Sequence, residues 1–448
     1  MRVIIFLFIL FFPLFSLAEA KQPQTHEFQL DNGLRVIVRE DHRTPTVVSQ
    51  VWYKVGSSYE HGGITGISHV LEHMMFKGTP TYPQGELERL MADIGARQNA
   101  TTGQDVTFYY QEIPADKLEL SFQLESDRMR HLLLDPKEFS KEIKVVMEER
   151  RLSTEDNPQR TLYERFTAAA FVSSPYHHPV VGWMDDLKNK TIADLKGWYQ
   201  RWYAPNNATV VVVGDVDPEN VRQLATKYFG PLKASPISAI KPQVDIEPLG
   251  ERLLDVNAPA QLPMLLMGYN VPSLLTAKSP PDSYALEVAA AILSGGASAR
   301  LPKDLVRGQQ LATDVFGSYN LYSRLSTVFL LGGTPAPGHT ALALKHALLA
   351  HIKRLQTEPV TKAELDRIKA QVLAEKVYQR DSIVGQANEI GSLESIGLSW
   401  KTANEYADKI RAVTPEQIQA VTKRYLIPDR LTTATLNPQR QPSSKEPS

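Results

Sequence analysis

The sequence predicts an α+β protein with two domains, each a mainly antiparallel sheet covered by helices. At 448 residues the chain is too long for one hydrophobic core of ordinary size. Strand-like and helix-like segments occur in both halves without the regular β-α-β alternation of a parallel sheet. Proline and serine punctuate residues 231–250, which we interpret as a linker. We therefore expect a first domain over residues 21–230 and a second over residues 251–436.

The first half opens with a β-hairpin, because Asp31-Asn32-Gly33 is a tight-turn sequence between two apolar runs. Asp135-Pro136 and Asp217-Pro218 each combine a helix-capping side chain with a proline suited to the first helical turn. The predicted elements of this half are strands over 26–30, 34–39, 46–55, 105–113 and 206–214, and helices over 65–77, 86–94, 116–134, 135–154 and 217–229.

The second half repeats this rhythm of strands and helices more faintly. The elements predicted from its apolar periodicity are strands over 263–269, 326–332 and 430–436, and helices over 283–293, 339–357, 361–380 and 415–425. Residues 437–448 are rich in proline, serine and glutamine, which predicts a disordered tail.

Composition excludes several classes of protein. The formal net charge is −1, so nothing indicates a basic nucleic-acid-binding surface. The chain has no cysteine, which excludes disulfides and thiolate zinc ligands. The apolar run 3–17 followed by Ala18-Glu19-Ala20 is typical of a secretory signal peptide over residues 1–20. We therefore expect a periplasmic or secreted protein with no membrane span after cleavage; an uncleaved N-terminal anchor is the alternative.

The stretch that points to chemistry is His69-Val70-Leu71-Glu72-His73. At 3.6 residues per turn, His69, Glu72 and His73 fall within an arc of roughly 100° on one helix. The two imidazoles can reach one metal ion, and the carboxylate points into the same space. This order, H-x-x-E-H, is the inverse of the H-E-x-x-H zinc helix. The alternative is a helix that carries two histidines by chance, so the interpretation needs a third ligand.

The third ligand must come from elsewhere, and the helix predicted over 135–154 carries several glutamates. Helical phase puts Glu148 on the solvent side and Glu142 and Glu149 on the opposite face. That face is predicted to be buried together with Val145, Val146 and Leu152. A carboxylate on an apolar face is costly unless a cation meets it. Glu149 is therefore the predicted ligand; the alternative is that it forms a solvated charge run with Glu148, Arg150 and Arg151.

His69, His73 and Glu149 would bind one Zn²⁺ per chain and leave one coordination position open, as in catalytic zinc sites. Glu72 would then be the general base that takes a proton from the attacking water and delivers it to the leaving amine. Glu142 would orient a ligand as a neighbouring carboxylate. The adjacent histidines 177 and 178 cannot converge on one ion, so we expect surface or packing roles for them.

With these residues the chain resembles the pitrilysin-like zinc peptidases, the inverzincins, a family that includes the mitochondrial processing peptidase. In that family H-x-x-E-H is followed about 75 residues later by a glutamate ligand, and here 75 residues lie between His73 and Glu149. Phe76-Lys77-Gly78-Thr79 and Tyr203-Ala204-Pro205-Asn206-Asn207 are also similar to family sequences. The resemblance covers nearly all of the chain beyond residue 20.

The resemblance implies two homologous domains in a clam-shell assembly around an enclosed chamber. It implies hydrolysis of peptides or unfolded proteins. It also implies that Asn99, Ala100 and Thr101 belong to an edge strand that binds substrate. For Asn99 two interpretations stay open, a contact with the metal-activated water or substrate and a simple turn-forming role.

One departure from the family concerns an arginine and a tyrosine that bind the substrate carbonyl in active members. Aligning Leu311-Ala312 with the family puts Val306 and Thr313 at those two positions. We therefore expect a related subunit that supplies arginine and tyrosine in a heterodimer, with a homodimer as the alternative. A non-catalytic scaffold and a subunit that holds peptides without cutting them are the competing functions.

Overall fold

The structure is a computed structural model that describes residues 24–237, 240–241 and 243–439. The predicted signal peptide over residues 1–20 lies outside the described residues. Within the described part of the chain, no helix combines the length and apolar character needed to cross a membrane.

The first half contains six strands and eight helices within the described residues. The strands are β1 (Thr25–Gln29), β2 (Arg35–Glu40), β3 (Thr46–Tyr53), β4 (Arg97–Thr102), β5 (Thr107–Pro114) and β6 (Ala208–Gly214). The helices are α1 (Ile67–Met74), α2 (Glu86–Asp93), α3 (Leu118–His131), α4 (Pro136–Arg150), α5 (Pro158–Ala170), α6 (Met184–Asn189), α7 (Ile192–Trp202) and α8 (Pro218–Tyr228).

The second half contains five strands and six helices, counted over the same described residues. The strands are β7 (Arg252–Pro259), β8 (Met264–Val271), β9 (Ala312–Ser318), β10 (Thr327–Pro335) and β11 (Leu431–Gln439). The helices are α9 (Pro280–Ser294), α10 (Ala341–Thr357), α11 (Lys362–Asp381), α12 (Ile383–Ile396), α13 (Thr402–Ala412) and α14 (Pro415–Tyr425).

The two sheets share one topology. The first has the order β1-β2-β6-β3-β5-β4 and the second the order β7-β11-β8-β10-β9. In each, one parallel pair, β2 with β6 or β7 with β11, is followed by antiparallel pairs only. Removing β1 makes the two orders equivalent strand by strand. The predicted α+β class with two homologous, mainly antiparallel halves is therefore confirmed.

Each half covers the other half's sheet with one helix. Helix α5 packs on β7, β8 and β11 through Leu162 and Phe166, and α12 packs on β3 and β6 through Ala387 and Ile390. The two helices are equivalent, because each is the third helix after the antiparallel pair that ends its sheet. Gly391 of α12 lets the two elements approach closely, since a Cβ atom there would lie 2.0 Å from the indole of Trp52.

This exchange bears on the predicted division of the chain. Residues 231–237, 240–241 and 243–251 form no helix or strand, which is compatible with a linker. The boundaries themselves stay predictions, because α5 and α12 each lie on the sheet of the other predicted domain.

The predicted disordered tail over residues 437–448 starts too early, since Asn437 and Gln439 continue β11 in register with Asn257 and Pro259 of β7. Residues 440–448 lie outside the described residues.

Most of the predicted helices and strands in both halves occur within a few residues of their predicted positions. The elements without a prediction are α5, α6, α7, α12, α13, β7 and β9. All five of these helices lie in the long connections between the penultimate and final strands of each half. Helix α12 has buried side chains around most of its circumference, so it shows no single apolar stripe.

Candidate metal centre and substrate cleft

Helix α1 presents its histidines to an open cleft because its other side is apolar. The buried apolar side chains are Ile67, Val70, Leu71 and Met74. The Glu60 carboxylate accepts hydrogen bonds from the backbone N–H groups of Gly66 (2.6 Å) and Ser68 (2.9 Å). These groups at the start of the helix have no partner within it. Burial raises the pKa of Glu60 to about 7, against the lowering effect of the two hydrogen bonds.

Three side chains that could hold a metal ion converge beside α1. The Glu149 Oε2 lies 3.7 Å from the His69 Nε2 and 3.5 Å from the His73 Nε2. A tetrahedral zinc site with ligands about 2.0–2.1 Å from the ion has its ligand atoms about 3.3 Å apart. The two distances to Glu149 are close to this value, and all three ligand atoms lie within 4.8 Å of one another, so these side chains can close around one ion. Among the residues that the structure describes, these three form the single His/Cys/Asp/Glu group with such spacing.

Glu142 decides which nitrogen of His73 faces this space. The His73 Nδ1 lies 3.2 Å from the Glu142 Oε2, and the Lys77 Nζ lies 2.6 Å from the other Glu142 oxygen. A carboxylate only accepts, so the Nδ1 carries the proton and the Nε2 of neutral His73 turns a lone pair towards Glu149. The His73 Nε2 lone pair and the Glu149 carboxylate both accept hydrogen bonds, so a cation or a proton must lie between them. The donor set therefore fits a divalent metal ion.

The protonation of the three side chains is compatible with metal binding. Burial and then the neighbouring His73 lower the pKa of His69 to about 4, so its imidazole is neutral at pH 7. Burial acts to lower the pKa of His73, but the interactions with Glu149 and Glu142 outweigh it and raise that pKa. The hydrogen bond with His73 lowers the pKa of Glu149, against the effect of burial. A metal would replace the proton shared by His73 and Glu149.

Glu72 lies on the same face, and its Oε2 accepts a hydrogen bond of 2.5 Å from the Thr102 hydroxyl. Burial raises the pKa of Glu72, while the Thr102 hydrogen bond acts in the opposite direction. A carboxyl group with a raised pKa can both accept and release a proton closer to neutral pH. Sequence reasoning did not identify Thr102, because its contact with Glu72 joins β4 to a helix 30 residues earlier.

The structure corrects the reason for choosing Glu149. Val146 is buried and Glu142 is 8% exposed, but Val145 is 48% exposed and Leu152 is 65% exposed. The Glu149 side chain is itself 46% exposed. The stripe of α4 that packs against the core is narrower than predicted, and Glu149 lies at its border with the cleft. Leu152 departs from the predicted phase because a π-helical turn follows Arg150.

The candidate metal centre opens into a cleft with a volume of about 610 Å³. Its walls are α1, the end of β4, the chain after α4, the side of α5 and residues 177–181. Ala100 and Thr101 line the cleft on β4, which is the edge strand of its sheet. The Asn99 side-chain oxygen accepts a hydrogen bond of 2.9 Å from the Ala100 N–H, a local contact within β4. Substrate binding by these three residues stays a prediction.

His177 and His178 both line the cleft, so the surface or packing roles expected from sequence do not describe them fully. Their segment approaches α1 closely, since a Cβ atom on Gly182 would lie 2.3 Å from the Thr65 carbonyl oxygen. Burial and then the neighbouring His177 lower the pKa of His178 to about 4, which leaves it neutral at pH 7. No local pattern signals this placement, because the contact joins segments far apart in the chain.

The second half places no arginine and tyrosine at the positions where the family resemblance expects them. Val306 is half-buried, and Thr313 is exposed on β9, the counterpart of β4 at the edge of the second sheet. The hydroxyl of the nearby Tyr319 donates a hydrogen bond of 2.7 Å to the Pro272 carbonyl oxygen. That tyrosine is therefore engaged within its own half.

Comparison with known proteins identifies relatives over nearly the whole chain. Residues 35–182 match the family Insulinase (Peptidase family M16), and residues 189–372 match Peptidase M16 inactive domain. A Helicobacter pylori protein named zinc protease PqqE is 35% identical over 369 residues, 82% of each chain. A Bacillus subtilis protein named uncharacterized zinc protease YmxG is 25% identical over 404 residues, which cover 90% of this chain and 96% of the relative.

Solved structures show the same fold. The crystal structure of a protease from Helicobacter pylori has a TM-score of 0.87 and 32% identity, and the match covers 93% of this chain and all of that one. The periplasmic protease PqqL from Escherichia coli has a TM-score of 0.79 and 20% identity. That match covers 93% of this chain and 48% of PqqL, so this chain corresponds in fold to half of it.

These matches confirm the predicted relationship to the pitrilysin-like peptidases and agree with the position of His69, Glu72, His73 and Glu149 within the first matched region. The chain belongs to peptidase family M16.

Proposed function

We propose that this protein is an exported zinc-dependent endopeptidase that hydrolyses peptides or unfolded proteins. The convergence of His69, His73 and Glu149 beside Glu72 in one cleft carries the proposal. The names of the relatives, zinc proteases, agree with it. The fit of the donor atoms to a tetrahedral ion supports zinc at one site per chain.

In the proposed reaction His69, His73 and Glu149 hold the zinc ion, and Glu142 keeps His73 in the tautomer that offers its Nε2. When bound, zinc polarises the substrate carbonyl and makes a water molecule a better nucleophile. Glu72 accepts the proton of the attacking water and then donates it to the leaving amine. The burial that raises its pKa suits Glu72 to this double role.

The substrate class follows from the form of the cleft. Strand β4 borders the cleft and leaves one edge of its sheet without a neighbouring strand among the described residues. An extended peptide can add to such an edge through backbone hydrogen bonds. Pairing of this kind requires an extended backbone, which favours peptides and unfolded chains over folded proteins.

Replacing Glu72 by glutamine tests the proposal. Purified Glu72→Gln protein should bind zinc as the wild type does and cleave fluorescein-labelled β-casein about 10²–10⁴-fold more slowly, because only the proton acceptor is lost. Glu148→Gln is the matched control, since Glu148 lies next to Glu149 but pairs with Arg151 at the surface. Unchanged cleavage by Glu72→Gln would contradict the assignment of Glu72 as the base.

We further propose that a related subunit supplies the missing arginine and tyrosine. Val306 and Thr313 support this, since valine has no hydrogen-bond donor and the threonine hydroxyl is carried on a much shorter side chain than a tyrosine phenol. The test compares cleavage by the purified chain alone with cleavage after addition of a relative encoded beside it. A gain of tenfold or more supports the heterodimer. Full activity of the chain alone, as a monomer or homodimer by light scattering, would contradict it.

The same two positions favour a second candidate function, a subunit that holds peptides without cutting them. The match of the second half to a domain described as inactive agrees with that alternative. The two functions differ in one result. A peptide-holding subunit binds unfolded β-casein equally well as wild type and as Glu72→Gln, and neither protein cleaves it, with or without the related subunit.

Export is a separate part of the proposal. The sequence of residues 1–20 supports it, and one relative in fold is a periplasmic protease. Mass spectrometry of the protein from fractionated cells tests it. The expected product begins at Lys21 and is found outside the cytoplasm. Intact protein beginning at Met1 in the membrane fraction would favour the uncleaved anchor.

A further inference from the structure

A buried carboxylate beside the cleft joins the two halves of the protein. Asp105 lies in the turn between β4 and β5, and its side chain is 10% exposed. Its Oδ1 accepts hydrogen bonds from the Ser58 hydroxyl (2.7 Å) and the Arg324 Nε (3.0 Å). Its Oδ2 accepts from the Tyr176 hydroxyl and from the Arg324 backbone N–H (3.2 Å). Each carboxylate oxygen therefore accepts two hydrogen bonds.

Arg324 is the member of this network that belongs to the second half. Its side chain is 16% exposed, and its guanidinium lies 4.4 Å from the centre of the Tyr59 ring. A second nitrogen of the guanidinium donates a hydrogen bond of 2.7 Å to the Ser58 hydroxyl. The next residue, Leu325, donates its backbone N–H to the Tyr176 hydroxyl at 3.1 Å. The Arg324 guanidinium thus donates hydrogen bonds in two fixed directions, which a lysine ammonium cannot reproduce.

The residues that contact Arg324 are hydrogen-bonded to residues that form the wall of the cleft. Gln104, beside Asp105, lines the cleft and donates a hydrogen bond of 3.1 Å to the Tyr176 carbonyl oxygen. Tyr176 directly precedes the two cleft histidines. The Ser58 N–H donates to the Gln104 carbonyl oxygen at 2.8 Å. The end of β4, the segment before residue 177 and the turn at residue 58 therefore all meet at the Asp105 carboxylate.

We propose that Arg324 is a positioning residue through which the second half holds the substrate-binding edge of the first half. The inference rests on the proposed function, because it assigns the end of β4 to substrate binding. Arg324 does not line the cleft itself. Without its guanidinium, the buried Asp105 keeps a charge with no cation beside it, and water or rearrangement must compensate. The end of β4 and the segment around Tyr176 then lose their common anchor.

The test measures amide hydrogen exchange in the purified full-length chain. In Arg324→Gln, exchange in residues 99–106 should be at least tenfold faster than in the wild type. Arg324→Lys should fall between the two, because it keeps the charge and loses the two fixed donor directions. Arg43→Gln is the matched control, since Arg43 also pairs across the halves, with Asp381 at 2.8 Å, but lines no part of the cleft.

A second readout separates positioning from general loss of structure. With fluorescein-labelled β-casein, Arg324→Gln should raise KM about tenfold and change kcat less than twofold, with zinc content unchanged. Equal exchange in Arg324→Gln and Arg43→Gln would overturn the proposal. If Arg324→Gln does not fold, Arg324→Lys decides, with faster exchange in residues 99–106 supporting the proposal and unchanged exchange overturning it. The exchange result needs no activity, so it is separable from a failure of the proposed peptidase function.

Discussion

Helices α1 and α9 hold the same place in their halves, since each follows the central strand and precedes the edge strand of its sheet. Aligning Ser68 with Ser283 puts Glu287 at the position of Glu72. The same alignment puts Tyr284 at the position of His69 and Val288 at that of His73. One half therefore keeps a complete metal-binding pattern, and the other keeps only its carboxylate.

The two carboxylates differ in what surrounds them. Glu72 lies in the wall of a cleft beside two histidines. Glu287 instead accepts a hydrogen bond of 2.6 Å from the Tyr406 hydroxyl, and burial raises its pKa to about 7. The aromatic rings of Tyr284 and Tyr406 lie beside each other there, with centroids 6.3 Å apart. The fold therefore provides the position of the carboxylate, while the neighbouring side chains decide whether it can serve chemistry.

The largest expected effect is the loss of zinc when a histidine of α1 is removed. His73→Ala should lose stoichiometric zinc, measured by elemental analysis after dialysis, because two remaining ligands cannot hold the ion at that occupancy. His177→Ala is the control, since His177 lines the cleft without joining the donor set. Full zinc content in His73→Ala would show that the ion lies elsewhere.

A smaller effect is expected for the buried carboxylate of α9. The pKa of Glu287 is about 7 in the fold and 4.5 in a free side chain. Folding therefore favours the protonated form of Glu287. The contribution of this bound proton to the free energy of unfolding is lost as the pH rises from 4.5 through 7. The stability of Glu287→Gln relative to wild type should increase over this range by on the order of 3 kcal/mol.

Urea unfolding at pH 5 and pH 8 measures this difference. Glu88→Gln serves as the control, because Glu88 is an exposed glutamate on α2 in the other half of the chain. Zinc binding should be unchanged in both variants. A stability difference that does not depend on pH would mean that Glu287 is ionised in the fold throughout.

The third expected effect concerns the orientation of His73. Glu142→Gln should weaken zinc binding by about tenfold to hundredfold, because a carboxylate that fixes a histidine ligand is replaced by an amide. Competition with a fluorescent chelator measures the affinity. Glu138→Gln, on the first turn of α4, should leave it unchanged, because Glu138 pairs with Lys141. Equal affinities would exclude Glu142 as the group that orients His73.

The smallest effect tests the corrected face of α4. Val146→Ala should lower the free energy of unfolding by about 1–2 kcal/mol, because a buried side chain loses two methyl groups. Val145→Ala should change it by less than about 0.5 kcal/mol, because that side chain is half exposed. Equal losses in the two variants, measured by urea unfolding, would restore the wider buried face that helical phase alone predicts.

Local patterns were sufficient for much of the fold and for the core of the site. Strand alternation and capping residues are properties of a few neighbouring residues, so β2, β6, α4 and α14 were predicted closely. His69 and His73 share a face because of helical pitch alone. Helical phase predicts a buried position for Glu149, but its side chain is half exposed. Phase gives the direction of a side chain around the helix and does not show what lies in that direction.

Short-range periodicity was enough to predict the fold class, the helix that carries His69 and His73, and Glu149, which lies about two helical turns beyond Glu142. Three further features appear only in the folded chain: α5 and α12 each pack on the other half's sheet, Thr102 contacts Glu72, and Arg324 contacts Asp105. These contacts join residues distant in the chain. They depend on the packing of whole elements, which no local pattern encodes.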